Sequence, residues 1–328
     1  MPDRPAQQPR GFVAAVRGWV DPLVVAILAV LVLGLVLPVT GAAADALDTV
    51  RTVAIVALFF GYGARMRTRE VWDGLRAWRL QGSMLAATYV VFPLLGLAAQ
   101  LLPDAVLRPE LATGVLYLSL LPSTVQSSVV FTSIARGNIA GAITGATISN
   151  VVGVLLTPVL VALLLGGSGG TSGSLGPILV QLLVPFVAGQ LAQPWIGGWM
   201  RAHAGLTRAT DRATILLVAY TAVSEAQTSG AWDHVTVGAL VLLVAVCGVM
   251  LATMLSITWT GGRSLVLPDR IALLMVGSKK SLATGLPMAA VLFTPAVAAS
   301  VALPVIVFHQ LQLATCAVVA RRLASRVE

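Results

Sequence analysis

Residues 270–293 read RIALLMVGSKKSLATGLPMAAVLF, and this stretch decides the fold. It is long and apolar enough to cross the roughly 30 Å hydrocarbon core of a bilayer as a helix. Its middle, Gly277-Ser278-Lys279-Lys280-Ser281-Leu282-Ala283-Thr284-Gly285, is nonetheless polar. Lys279 and Lys280 are the only lysines in the chain; every other cation is arginine. The spacing from Arg270 puts them roughly 13 Å into the membrane at helical rise. A cation at that depth costs at least about 2.5 kcal/mol on insertion scales, so it needs a partner or a water-filled cavity. The alternative is that one or both snorkel to an interface. On a continuous helix adjacent residues point about 100° apart, so one lysine at most faces a cavity unless the helix is unwound.

An interruption of the same kind lies in the first half. Residues 111–135 read LATGVLYLSLLPSTVQSSVVFTSIA. Pro122 denies the helix a donor and disfavours helical geometry just before it. Ser123, Thr124, Gln126, Ser127 and Ser128 follow at once. Non-helical backbone at membrane depth is tolerated only where it is buried in protein or lines a cavity. A proline kink healed by hydroxyl groups is the competing reading. Paired interruptions at corresponding positions of two halves point to a transporter's binding site.

Outward from these two stretches, apolar runs suggest ten transmembrane spans. They lie near 19–38, 46–64, 81–102, 111–135 and 139–165, then 175–199, 210–229, 235–259, 270–293 and 297–320. The chain is 57% hydrophobic and 10% charged, against about 25% charged in soluble domains. The Gly/Ser stretch 166–176 divides it into residues 1–165 and 177–328, with five spans each. An odd number of spans per half means that the halves enter the membrane from opposite faces, so a shared fold makes them inverted repeats.

The net charge of +8 does not imply nucleic acid, because the cations sit in short loops between spans. Arg4, Arg10 and Arg17 precede the first span. Arg65, Arg67, Arg69, Arg76 and Arg79 fill the second connection and Arg136 the fourth. Arg201, Arg208 and Arg212 fill the sixth, Arg263 and Arg270 the eighth, and Arg321, Arg322 and Arg326 follow the tenth span. The other face holds only Arg51 and Arg108, beside Asp45, Asp48, Asp104, Glu110 and Asp233. Basic loops stay in the cytoplasm, so the expectation is a multi-pass cell (inner, cytoplasmic) membrane protein with both termini cytoplasmic. Trp19, Trp72, Trp78, Trp195, Trp199, Trp232 and Trp259 fall near span ends, as interfacial anchors do.

Other polar groups fall inside spans. Glu225, in Ala222-Val223-Ser224-Glu225-Ala226-Gln227, reads as a counter-ion or proton carrier, or as a residue of an outer loop if the seventh span ends early. His309 and Gln312 share a helix face near mid-depth of the tenth span, for a site or for interhelical bonding. Asn150 ends the polar run that begins at Thr144 and has the same two readings. Arg136 and Asn138 read as the cap and exit of a cytoplasmic hairpin. Cys247 and Cys316 read as small buried hydrophobes. Zinc spacing, a Walker loop and a nucleophile elbow are not found, which argues against an enzyme and against an ATP-driven pump without a separate subunit.

The segment Pro122 to Pro158, with its Ala135-Arg136-Gly137-Asn138 turn and Leu156-Thr157-Pro158 exit, resembles the bile acid:sodium symporter family. Gly277 to Gly285 and Phe308-His309-Gln310-Leu311-Gln312-Leu313 look like its divergent branch, that of bacterial symporter-like proteins and human member seven of solute carrier family 10. The resemblance covers essentially the whole chain. It implies an all-α membrane protein of ten helices in two inverted five-helix repeats. A panel domain would pack against a core domain whose fourth and ninth helices are broken and cross. Better-studied relatives carry organic anions, including bile acids and steroid sulfates, with two sodium ions at that crossing.

The pattern also departs from that family. An ungapped comparison puts Met275 where sodium symporters have a glutamate ligand and Lys279 where they have a glutamine. Their serine-asparagine pair falls near Ser128 and Val129, and two hydroxyl positions of the fifth helix fall near Ala142 and Ala146. Hard cations need oxygen ligands; if sodium is retained, it is expected near Ser127, Ser128, Thr144 and Thr147. Otherwise the ammonium of Lys279 or Lys280 occupies a former sodium site, with permanent charge or with release of a proton during the cycle, and Glu225 is its candidate partner. The expected binding set is Ser123, Thr124, Gln126, Ser127, Ser128, Asn150, Ser278, Lys279, Lys280, Ser281, Thr284, Glu225, His309 and Gln312. The expected activity is secondary transport of a small organic anion within the lipid bilayer, with no other cofactor. The alternative is a transporter-like regulator or sensor without sustained flux.

Overall fold

The structure, a computed structural model, describes residues 22–66, 77–166, 175–228 and 236–325. Arg4, Arg10, Arg17, Arg67, Arg69, Arg76, Arg326, Trp19, Trp72, Trp232, Asp233 and most of the Gly/Ser stretch lie outside them. The described residues form helices and no strand element. We number them α1 (Pro22–Val36), α2 (Ala42–Arg65), α3 (Trp78–Ala99), α4 (Pro109–Leu120), α5 (Val125–Ile134) and α6 (Ile139–Leu165). Then come α7 (Leu175–Ala202), α8 (Ala204–Thr228), α9 (Val237–Gly261), α10 (Leu267–Gly277), α11 (Leu282–Leu292) and α12 (Pro295–Ala324).

Four helices, α3, α6, α9 and α12, are by themselves long and apolar enough to cross a bilayer, and α4 with α5 makes a fifth, bent by 65°. The spans expected at 111–135 and 270–293 are each two helices, broken where the polar runs fall. The expected run 139–165 is one helix over the same residues. The apolar, all-helical chain is that of a multi-pass membrane protein.

Two groups of helices pack within themselves. In one, α2 lies along α7, and α8 lies against α1 and α2. The other holds α3 to α6 and α9 to α12, and the groups meet where α8 touches α11 and α12 and where α7 touches α6 and α11. The α2–α7 contact is backbone to backbone. A Cβ at Gly63 would collide with the carbonyl oxygen of Phe186, and one at Gly189 with that of Phe60. Lipid supplies no hydrophobic drive between helices, so such small-residue contacts carry the packing. Gly63→Leu and Gly189→Leu are each expected to cost about 3 kcal/mol by overpacking, read as a lower thermal midpoint of the detergent-extracted protein. An unchanged midpoint would mean that these backbones do not touch.

At one end of this group, Arg65 grips Asp211 with two hydrogen bonds, at 2.9 and 3.1 Å, and so ties α2 to α8. Arg201 donates to the carbonyl of Arg65 at 3.3 Å and brings in α7. The α5–α6 hairpin is built as its sequence suggests. Arg136 takes a left-handed turn (φ 58°), and the Asn138 side chain caps α6 by accepting from Gly141 N–H at 2.8 Å. Asn138 also reaches the first turn of α10: its Nδ2 donates to Asp269 at 2.7 Å and its backbone N–H to Pro268 O at 2.9 Å. Asn138→Ala removes the cap and the side-chain bond to Asp269 together, keeping only the backbone bond to Pro268 O, and is expected to cost about 1–2 kcal/mol, measurable by the same melt.

Candidate functional site at the crossing of two broken helices

The first break begins with Pro122. Leu121 turns extended (ψ 154°), as the residue before proline prefers, and the carbonyls from Ser119 to Ser123 lose their helical donors. An unpaired carbonyl in the bilayer costs several kcal/mol, so each needs a partner. Lys280 Nζ donates to Ser119 O at 2.7 Å and to Leu121 O at 2.6 Å. Thr157 Oγ1 donates to Leu120 O at 2.8 Å, and Ser281 N–H to Pro122 O at 2.8 Å. Asn150 Nδ2 donates to Ser123 O at 2.8 Å. All five carbonyls of the break are satisfied, two by one ammonium.

The second break returns the bonds. Ser123 Oγ donates to Val276 O at 2.6 Å and Ser128 Oγ to Met275 O at 3.0 Å. Ser278 Oγ folds back on Leu274 O at 2.6 Å. Gln312, from α12, brackets the peptide of Lys280: its Oε1 accepts from Lys280 N–H and its Nε2 donates to Lys280 O, both at 2.9 Å. Ser281 caps α11 by accepting from Thr284 N–H at 3.3 Å. Tyr117, from α4, donates to Gly285 O at 2.6 Å.

Both lysines are buried, at 0% and 1% exposure, so neither snorkels. They point to different neighbours because the segment between α10 and α11 is unwound. The third bond of Lys280 goes to Thr88 O, at 2.8 Å on α3. That carbonyl is free for a reason in the sequence. Residues Ala87–Val91 form a π-turn in which Phe92 N–H donates to Ala87 O, and the next donor along would be Pro93, which has no N–H. Lys280 thus spends all three ammonium hydrogens on carbonyls and lies 4.3 Å from the Phe92 ring centre. Lys279 donates only to Ser127 O, at 3.0 Å, and lies 4.2 Å from the Phe131 ring centre. Its other two N–H groups have no partner among the described residues.

No carboxylate neutralises either lysine: the ion pairs among the described residues are Arg51–Asp48 and Arg65–Asp211. The expectation that Glu225 partners a lysine is therefore corrected. Glu225 is half-buried on α8, within electrostatic reach of Asp48 and Arg51 at the N-terminal end of α2. The reason is helix register: three polar turns precede the apolar part of α8 and displace Glu225 to its far end.

The structure gathers Ser123, Ser127, Ser128, Asn150, Ser278, Lys279, Lys280, Ser281, Thr284, His309 and Gln312 around the two breaks. His309 Nδ1 lies 2.8 Å from Gln312 Nε2. Thr124 is half-buried and gives α5 no side-chain cap, and Gln126 is exposed. The hydroxyls of Ser127 and Thr284 are buried without a hydrogen-bond partner among the described residues. Residues missed by the sequence reading are Thr88, Tyr117 and Thr157. For Thr88 the signal was Pro93, five positions on.

The crossing does not fit sodium at the Lys280 position. The carbonyls of Thr88, Ser119 and Leu121 already hold an ammonium, and no carboxylate among the described residues is bonded there to offset a second cation. Of the four hydroxyls expected near sodium, Ser128 donates to Met275 O, while Thr144 and Thr147 are half-buried on α6.

The sequence profile of the SBF-like CPA transporter family matches residues 21–325. The uncharacterized protein PA2026 of Pseudomonas aeruginosa is 44% identical over 311 residues, covering 93% of each chain. "Putative symporter YfeH" of Escherichia coli is 40% identical over 312 residues, 94% of each chain. Sodium/bile acid cotransporter 7 of Mus musculus is 26% identical over 272 residues, 81% of this chain and 80% of the relative. The full-length match and the paired broken helices lead to one conclusion: this chain belongs to the SBF-like CPA transporter family, akin to the bile acid:sodium symporters, and is a membrane transporter and not an enzyme.

Proposed function

We propose that this protein is a secondary transporter of a small organic anion in the cytoplasmic membrane, with both termini in the cytoplasm. It alternates access about the crossing of α4/α5 with α10/α11. The observation that carries the reading is Lys279: a fully buried cation with uncommitted N–H groups and no carboxylate partner, set at the break between two short helices. An anion entering there gains a charge-assisted bond and the N-terminal dipoles of α5 and α11. Ten spans in two inverted five-helix repeats, residues 1–165 and 177–328, account for the matched breaks. The group α1, α2, α7 and α8 then acts as a panel against which the remaining helices move as a core.

The relatives named sodium/bile acid cotransporters suggest sodium coupling. Here the ammonium of Lys280 stands in for a soluble cation, tethered to the chain and held by three carbonyls, so transport is expected to be independent of sodium. The test is uptake into proteoliposomes of a panel of radiolabelled carboxylates and organic sulfates, bile acids and steroid sulfates among them, in sodium or in potassium. Accumulation of an anion against its gradient, equal in both salts, is the expected result. Saturable binding without accumulation would favour a transporter-like regulator, and uptake that requires sodium would overturn the role given to Lys280.

A further inference from the structure

We propose that His309 is the proton-binding site that couples the transport cycle to protons, acting by release of the Gln312 clamp on the backbone of Lys280. The proposal rests on the transporter reading above but not on the identity of the anion. Donor and acceptor bookkeeping carries it. A backbone N–H only donates and a backbone carbonyl only accepts, so the two bonds between Gln312 and the Lys280 peptide fix which end of the Gln312 amide is oxygen. Amide orientation is otherwise ambiguous; here it is determined.

The second hydrogen of Gln312 Nε2 then serves His309 Nδ1 at 2.8 Å, and Nδ1 must be the acceptor. His309 is therefore neutral in this conformation, with its hydrogen on Nε2. A proton taken from water onto Nδ1 sets one donor against another. Gln312 can answer by turning its amide over, which offers Oε1 to the imidazolium and breaks both bonds to Lys280. Otherwise the His309–Gln312 bond opens. The first response frees the peptide of Lys280 at the centre of the second break. The ammonium of that residue holds carbonyls of Thr88, Ser119 and Leu121, so a proton on α12 is felt at α3 and at the first break.

The titratable groups around α12 come from the elements along it, α4, α5, α8, α9 and α11, and from α3 and α10, which reach it through the Phe92–Phe308 ring contact and the cluster around Cys316. Of these last two, α3 brings Arg79 and Tyr89, the latter donating to Ser149 O, and α10 brings Asp269, bonded to Asn138, and Arg270. Neither α5 nor α11 has any. From α9 comes Cys247, a buried thiol. On α4, Tyr117 is committed to Gly285 O, and Glu110 lies in the first turn. Along α8, Asp211 is paired with Arg65 between Arg208 and Arg212, Tyr220 donates to Leu37 O, and Glu225 lies with Asp48 and Arg51. The second break brings Lys279 and Lys280, and α12 itself has Cys316, Arg321 and Arg322. Through Gln312, His309 is joined to Lys280, whose ammonium is held away on its three carbonyls.

Amide hydrogen exchange of the purified full-length protein tests this without a substrate. Exchange in the peptide spanning residues 277–286 is compared at about pH 5 and about pH 8, on either side of ordinary imidazole titration, after correction for the intrinsic rate. Wild type is expected to exchange about tenfold faster at the acid value, as local opening exposes the Lys280 amide. His309→Asn keeps an acceptor but does not titrate, so it should exchange slowly at both; Gln312→Ala should exchange fast at both. Equal exchange in wild type, or an acid-induced rise that persists in His309→Asn, overturns the proposal. Should that variant not fold, nitrogen NMR of the His309 ring, with His203→Gln and His234→Gln to isolate it, decides by tautomer. Hydrogen on Nε2 supports the site, and hydrogen on Nδ1 overturns it. The expected exchange pattern in a protein without anion flux leaves the proton site standing and faults the transporter reading instead.

Discussion

Lys280→Met is expected to destabilise the protein severely, whereas Lys279→Met, one residue away, is expected to leave it folded. Methionine preserves volume at Lys280 but leaves three carbonyls without donors, those of Thr88, Ser119 and Leu121. A buried acceptor left unpaired costs about 1–3 kcal/mol. Relief of the buried charge offsets part of the sum, so the net loss is about 3 kcal/mol or more. That is a large share of the marginal stability of a folded domain. The checks are the yield of monodisperse protein and its thermal midpoint. Wild-type stability in Lys280→Met would mean that the carbonyl cradle does not hold the crossing together.

Lys279→Met is expected to impair anion transport strongly while the protein folds at least as well as wild type. Ser127, which accepts the ammonium of Lys279, is inside α5, where its carbonyl retains a helical donor. The substitution thus orphans no backbone group and removes a buried charge that no acid neutralises, a change that is often neutral or stabilising. A charge-assisted hydrogen bond to substrate is worth about 1.5–3 kcal/mol, so uptake should fall by roughly 10- to 100-fold at limiting anion. Uptake in proteoliposomes beside a thermal melt checks both halves. Unchanged flux would remove Lys279 from the site.

Much of this was legible in the sequence, because breaks in membrane helices advertise themselves. Pro122 and the polar run after it, and the lysine pair of the second half, mark departures from an apolar helix that only a protein interior tolerates. Arg136 and Asn138 were legible together as the turn between two helices, because the bonds that make such a turn are local: the group that Asn138 caps, Gly141 N–H, is three residues on. What the sequence could not assign was which carbonyl each polar side chain serves. Thr157, Asn150 and Lys280 reach partners far along the chain, and such pairings depend on how helices pack. Nor could the two lysines be told apart. Their division into a fully bonded ammonium and a partly free one follows from the unwound backbone between α10 and α11. Glu225 was open between a counter-ion and an outer-loop residue, because an embedded acid suggests a partner for a buried cation; the register of α8 carries it away from the lysines, towards Asp48 and Arg51.

The ammonium of Lys280 is proposed to stand where a soluble cation would otherwise bind. The most direct test is the thermal stability of purified wild-type protein in sodium against potassium chloride at fixed ionic strength, with Lys280→Ala measured alongside. A ligand that binds only the folded state at a hundred times its dissociation constant adds about 2.7 kcal/mol of stability. Wild type is expected to show the same midpoint in both salts, and Lys280→Ala a saturable rise with sodium or ammonium once the three carbonyls are free. A saturable, sodium-specific rise in wild type would contradict that role for Lys280.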